Sequence, residues 1–452
     1  MMLVCSNGIR FNAEHVCPRP YGTFINLFKS NVKDYLMKIL RDVLREIEPT
    51  QKEADEIKKL AASLIKLLKE YEKKRKILLA GSVAKGTYLR DSADVDIFIM
   101  FKERLPKEEM KREIEELMAK AFPGTVYQMN YAEHPYIRFH ISGRRVDMVP
   151  AYEMKKTEER LTAVDRSVLH TKYILKNLKK SKREDVLLLK QLLKANGLYG
   201  AEIKIQGFSG YLCELLIIKY GSFSKLIKEA AGWKLPLIID LKKYYKPKDA
   251  ELLIKKFNSK FVVIDPTDKN RNVAAALSEE NFKKFVSLAR RFLRKPSKNL
   301  FFREESFDEK IKRASKHGKI ILIKFKKPDV VDDVLWGQLK KFMRMLEDAL
   351  ADFVIRGIIA DANREVRVAV IAKNDVAGGV VEKQGPPIKM KKHVESFRRA
   401  HKNDKIIKRG GRLIALVKTP KKKLRDAVLE FIKENYEKFS HLPLKEASAE
   451  LL

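Results

Sequence analysis

The sequence predicts a multidomain α+β protein, and three observations carry that expectation. Its 452 residues correspond to roughly three domains at about 150 residues each. Between residues 77 and 149, short apolar strands follow one another with a single helix among them, without the regular β-α-β alternation of a doubly wound sheet. Beyond about residue 155 the pattern turns helical, and near 318 a second α/β unit begins.

The elements follow in order. Residues 1–36 hold no sustained period and are interrupted by Gly8, Pro18, Pro20 and Gly22, so an appended segment of low order is expected there, with Met37 a candidate second start. Thr50 and Glu53 have the spacing of a capping box, and Ala54, Ile57, Leu60, Ala61, Leu64, Leu67, Leu68 and Tyr71 then recur at helical spacing. An apolar run at 77–80 breaks at Gly81-Ser82. A second strand is expected over 94–101, and Met110, Ile114, Leu117, Met118 and Ala121 mark one face of a helix. Strand-like stretches at 126–131 and 136–141 precede the run 145–149. Helix-period positions recur over 183–196, 211–220 and 279–295. The later unit reads strand 320–325, helix 334–350, strands near 353–359 and 366–372, then a basic region, a strand at 413–418 and a closing helix at 421–439. No internal repeat or long low-complexity linker is evident.

Composition removes several classes of function. With 45% hydrophobic residues the chain can bury real cores, which excludes a disordered basic tail protein. No apolar run approaches the ~18 residues that cross a bilayer, and the first residues are too short for a secretory apolar region. Cys5, Cys17 and Cys213 lack metal-type spacing, which fits a reducing cytoplasm without a disulfide framework or zinc site. Against 59 acids stand 95 Lys and Arg, a net charge of +36. That surplus asks for a polyanion, nucleic acid first and an acidic membrane surface a poor second.

The chemistry concentrates at residues 81–98. Asp94 and Asp96 stand two apart in an apolar strand, so the pleat turns both carboxylates to one face while Val95, Ile97 and Ile99 take the other. A strand has no structural need of two repelling carboxylates. A divalent cation resolves the conflict, and Mg²⁺ prefers one or two carboxylates together with substrate phosphate oxygens. Upstream, Gly81-Ser82 forms a turn whose backbone N–H groups and hydroxyl suit a polyphosphate. Asp147, in a strand of its own, offers a third carboxylate. Three carboxylates and two metals would serve in-line displacement of pyrophosphate. A lone D-x-D is more often a surface strand feature; the ordered combination of G-S, eleven residues, D-x-D and a later strand Asp is far more specific.

G-S-x11-D-x-D resembles the nucleotidyltransferase superfamily that includes polymerase β and the poly(A) polymerases. The blocks 131–136, 194–202, 207–216, 265–274 and 326–333 are similar to those of the archaeal, class I CCA-adding enzymes, and Gly385-Pro386 extends the likeness toward the C-terminus. The resemblance implies a tRNA nucleotidyltransferase that adds CCA from CTP and ATP. From the composition above, a cytoplasmic setting and no membrane partner are expected, and the family adds a homodimer as an option. The implied fold is a polymerase β-like catalytic head (37–155), a helical neck (156–298), an RNA-recognition-like α/β body (299–375) and a basic, RNA-binding α/β tail (376–452). By the family's motif Asp94, Asp96 and Asp147 are the catalytic residues and hold two Mg²⁺ ions, while Ser82 and Lys85 contact the triphosphate. Lys85 stands where some relatives have Arg, a point charge in place of a bidentate fork. His170, Lys190 and Tyr199 match further nucleotide-binding positions, and Arg271 the one that reads the base edge. Without the resemblance these four read otherwise: Lys190 as a solvated lysine, His170 as a satisfied or exposed imidazole, Tyr199 as core, and Arg271 as a solvent-facing charge.

Residues 389–425 hold fifteen Lys and Arg against two acids, Glu395 and Asp404. A solvated, solubilising face is one reading. Interleaved His393, Phe397 and His401, with Gly410-Gly411, favour RNA, and Lys389, Lys391, Lys392, Arg398, Arg399 and Lys402 are the candidate contacts. Two alternatives to CCA addition remain at this stage: a poly(A)- or oligoadenylate-type transferase, and a catalytically inactive RNA-binding relative.

Overall fold

A computed structural model of the chain describes residues 3–4, 10–11, 21–131, 134–153, 163–302, 306–316 and 318–452. It divides into two compact units, residues 1–201 with 205–304, and residues 202–204 with 305–452.

In the first unit β1 (Leu3–Val4) and β2 (Arg10–Phe11) pair, and α1 (Tyr21–Ile47) follows. Of the segment 1–36 expected to have low order, residues 1–2, 5–9 and 12–20 lie outside the described residues. Residues 21–36 form the first part of α1. Both prolines precede this helix, and Met37 lies within it. Its second half buries Ile39, Leu40, Val43 and Ile47, one helical face, in the core built around α6. Helix α2 (Gln51–Tyr71) starts at the expected capping box of Thr50 and Glu53.

Five strands form the head sheet: β3 (Lys76–Ala80), β4 (Val95–Phe101), β5 (Tyr127–Tyr131), β6 (Pro135–Ile141) and β7 (Arg144–Tyr152). A one-turn α3 (Gly81–Lys85) follows β3, and α4 (Lys107–Ala121) follows β4. The order is β3-β4-β7-β6-β5, with β4 and β7 parallel and the other pairs antiparallel. Val95, Ile97 and Ile99 point into a core with Ile57 and Leu64 of α2 and Ile114 and Met118 of α4. One sheet face is thereby covered; on the other, Phe98 and Met100 pack with Ala151 and Val168, and only Asp96 near the start of β4 stays partly accessible.

The neck is not wholly helical, which corrects the expectation. Helices α5 (Ala163–Asn177), α6 (Arg183–Lys194), α7 (Gly210–Tyr220), α8 (Phe223–Ala230), α9 (Ala250–Phe257), α10 (Glu279–Arg294) and α11 (Asn299–Phe302) surround a three-stranded sheet. Its strands are β8 (Leu237–Asp240), β9 (Phe261–Asp265) and β10 (Asp268–Asn272), with β9 central. The run at 261–264 shows no alternation because both faces are covered. Phe261 and Val263 enter the α6–α7 core, and Val262 and Ile264 meet Leu253 of α9.

The second unit opens with α12 (Phe307–Ser315) and β11 (Lys319–Lys326), then α13 (Asp332–Ala349), β12 (Ile355–Ala362) and β13 (Glu365–Ala372). After them come β14 (Val376–Pro387), α14 (Lys391–Ala400), β15 (Lys405–Arg409), β16 (Arg412–Lys423), α15 (Leu424–Asn435) and β17 (Ser448–Leu451). One antiparallel sheet has the order β12-β13-β11-β17 and another the order β14-β16-β15. The stretch 376–452, expected as the tail, contributes strands to both sheets. Val428, Phe431 and Ile432 of α15 pack with Phe342 of α13, and β17 completes the sheet of β11. The residues inserted between, 376–423, make the smaller basic sheet and α14. No helix among the described residues is long and apolar enough to cross a membrane.

Candidate active site

The parallel pairing of β4 with β7 places Asp96 opposite Asp147, and the antiparallel pairing of β6 with β7 places Arg138 opposite Asp147. Directly paired residues share a sheet face, so Asp96, Asp147 and Arg138 form one row, with Asp94 two residues before Asp96 at the strand's entry. Gly81, at φ +67°, ends β3 beside this row. A Cβ there would overlap the Asp96 carboxylate, so the turn after β3 needs glycine for both space and backbone.

The carboxylates are unequal. Burial, then the neighbouring Asp147 and Asp94 charges, push the Asp96 carboxyl up to about 7. Asp147 is gripped by both arms of the Arg138 guanidinium, at 2.7 and 2.8 Å. Arg145 pairs with Asp94 and lies 3.9 Å from Asp147. Among the described residues no three His, Cys, Asp or Glu side chains stand close enough together to enclose a metal ion as they are. The arginines take the lone pairs instead. The donor set nevertheless fits a hard divalent cation: all oxygen, on one face, with a repulsion at Asp96 that a cation would relieve.

A second cluster joins α3 to α6 and α7. Glu214 is wholly buried, Lys190 is 2% exposed and Lys85 8%. Lys85 Nζ lies 2.6 Å from one Glu214 oxygen, and the Thr87 hydroxyl donates to the other at 2.5 Å. Lys190 donates to the Thr87 carbonyl at 2.6 Å and stands 3.8 Å from Glu214. A Cβ on Gly210 would lie 3.1 Å from the Tyr199 hydroxyl and 3.4 Å from Lys190 Nζ, so those two polar atoms converge over that glycine. Lys190 is therefore no solvated lysine. Ser82 is half-buried on the first turn of α3.

Asp265, at the end of β9, organises the third cluster. It accepts from Arg271 at 2.9 Å, from the Thr267 N–H and hydroxyl at 2.8 Å each, and from the Tyr211 hydroxyl at 3.2 Å. His170 Nε2 lies 2.8 Å from it, and the His170 ring stacks on Tyr211 with centroids 3.9 Å apart. Burial alone would raise the Asp265 carboxyl, but the bonds from His170 and Thr267 outweigh it and hold it well below the usual range. Burial lowers the His170 imidazole, which favours its neutral form. Arg271 is oriented rather than free in solvent. Lys85 lies close enough to Asp96, His170 and Lys190 for its charge to contribute, as a lesser influence, at all three. His134 pairs with Asp165 at 3.5 Å and packs edge-on against Tyr152.

In the second unit, Lys389, Lys391, Lys392, Arg398, Arg399 and Lys402 are all exposed on or beside α14, a helix with no buried residue. Phe397 anchors it, since a Cβ on Gly385 would reach within 2.7 Å of the Phe397 ring.

Sequence reasoning missed Arg138, Arg145, Tyr211, Glu214 and Asp265. Glu214 left a signal, a lone acid inside the apolar run 212–216; Asp265 left a weaker one at the end of an apolar strand.

A Gly-turn, a D-x-D strand and a third strand carboxylate in register on a mixed sheet define a nucleotidyltransferase. Accordingly, residues 61–178 match the nucleotidyltransferase domain family, 184–302 the second domain of tRNA nucleotidyltransferases, and 316–440 the C-terminal domain of CCA-adding enzymes. The CCA-adding enzyme of Methanocaldococcus jannaschii is 34% identical over 423 residues, 89% of this chain and 92% of that protein. That of Methanococcus maripaludis is 38% identical over 330 residues, 70% of this chain and 73% of its own length. That of Saccharolobus islandicus (strain M.14.25) is 33% identical over 383 residues, 84% and 88%. The chain belongs to the archaeal CCA-adding enzyme family of the polymerase β-like nucleotidyltransferase superfamily.

Proposed function

We propose that this protein builds the 3′-terminal CCA of tRNA, taking nucleotides from CTP and then ATP without a nucleic-acid template. The observation that carries this reading is the in-register row of Asp96 and Asp147 beside the Gly81 turn, in a chain of this family. In each addition the primer's 3′-hydroxyl gives its proton to solvent as its oxygen bonds to the α-phosphorus, the bond from that phosphorus to the α–β bridging oxygen breaks, and pyrophosphate leaves. Asp94, Asp96 and Asp147 would hold two Mg²⁺ ions, which when bound would neutralise triphosphate charge and sharpen the attacking oxygen. Arg138 and Arg145 balance these carboxylates without the cations. Ser82, Lys85, His170, Lys190 and Tyr199 receive the triphosphate, and the two ammonium groups offset its charge in the bound state. Arg271, steadied by Asp265, presents several fixed donors to a base edge. The exposed cations of α14 hold phosphates of the folded RNA, giving affinity and register but no base identity.

The test is a tRNA ending just before CCA, offered each nucleotide alone in the presence of Mg²⁺. CTP alone adds two residues and stops, and ATP alone adds none. Incorporation of UTP or GTP, or extended A-tailing, overturns the proposal.

A further inference from the structure

Glu214 is a carboxylate without solvent, set in the apolar helix α7 and surrounded by two cations from different parts of the chain. Burying a charge is costly unless its geometry is well satisfied. Here both oxygens are used, one by Lys85 and the other by the Thr87 hydroxyl, with Lys190 behind it. The neck thus grips the 85–87 turn twice, through Glu214 and through the bond from Lys190 to the Thr87 carbonyl. That turn begins three residues after Ser82, at the end of α3, and Gly86 (φ +65°) closes it. The cluster also carries more positive than negative charge. Two ammonium groups face one carboxylate, and among the described residues neither has a second ion-pair partner. Burial already weighs against the charged form of Lys190, and the Glu214 charge is what supports it. The surplus ammonium charge suits an approaching polyanion.

We propose that Glu214 is a positioning residue for nucleotide binding: anchored by Thr87, it aims the Lys85 and Lys190 ammonium groups at the triphosphate. The inference rests on the reading that this site takes nucleoside triphosphates. It assigns Glu214 a role in KM for the nucleotide and none in the transfer step or in RNA affinity.

The test uses the full chain with Glu214→Gln, which keeps the shape and removes the charge. The KM values for CTP and ATP rise about tenfold, a size comparable to the loss of an outer partner that orients a metal ligand. The value of kcat and the KM for tRNA stay close to those of the unmodified protein. Calorimetric titration with inorganic tripolyphosphate shows an affinity loss of the same size. Because removing one member of a buried ion pair can prevent folding, Thr87→Val serves as the second variant. It frees Glu214 without unpairing Lys85, and it raises the nucleotide KM about threefold. Unchanged nucleotide KM in a folded Glu214→Gln or in Thr87→Val overturns the proposal, as does an equal rise in the KM for tRNA. A protein that adds no CCA yet loses tripolyphosphate binding in Glu214→Gln refutes the function above and leaves the positioning role standing.

Discussion

In the first unit Lys85, Lys190, Glu214, Asp147 and Asp265 are each less than a tenth exposed and each is bonded to a partner, whereas Lys391, Lys392, Arg398 and Arg399 of α14 stand in solvent. The two arrangements suit different tasks. A buried charge costs desolvation and is fixed in direction, so it belongs where the angle of approach to a ligand matters. An exposed cation keeps its water and its freedom, and contributes affinity through released counterions. The net charge of +36 thus hides two populations, one that aims and one that attracts.

The comparison is broken most severely at the carboxylate row. Asp96→Ala is expected to lower kcat for nucleotide addition by on the order of 10³-fold, as for loss of a principal electrostatic group in other active sites. Its affinity for tRNA is unchanged in a binding assay. Chelation of divalent metal should abolish incorporation, and added Mg²⁺ should restore it. Next in size is Gly81→Ala, whose methyl would displace the Asp96 carboxylate. A displacement of about 1 Å at a reacting centre costs on the order of 10²-fold in rate, and steady-state kinetics with CTP would read it.

The exposed population should answer differently. Replacing Arg398, Arg399 and Lys402 with Ala raises the KM for tRNA and leaves that for CTP nearly unchanged. The slope of log affinity against log salt flattens by about two, at ~0.7 for each of the three phosphates no longer neutralised. Equal effects on both substrates would erase the distinction between the two populations. The smallest effect lies outside both. Thr50→Ala removes the cap of α2, where Glu53 also meets Arg90, and should cost about 1 kcal/mol of stability with kinetics unaltered, as thermal unfolding would show.

What the sequence made legible follows the same division. The Asp94–Asp96 strand was legible because two acids stand at the head of an otherwise apolar run, although past Asp96 both faces of β4 are covered. Strand β9 escaped because helices and core cover both its faces and no period survives. The closing helix was foreseen, but its partner was not: α15 packs on α13 after the basic sheet intervenes. Exposed cations of the tail were visible as composition. Buried ones were not. Lys190 reads as an ordinary helix lysine until Glu214 and Thr87 are brought to it from residues distant in sequence. The dependence of Arg271 on Asp265 likewise appears only when the β9–β10 turn closes.

The central claim is that one templateless site adds a short, defined sequence to an RNA end. The most direct measurement supplies a tRNA lacking its terminal three nucleotides with Mg²⁺, CTP and ATP together, and sequences the product ends. The account predicts a single product extended by C, C and A, with no further growth on prolonged incubation. Products that continue to lengthen with A, or an RNA that is bound but never extended, would contradict it.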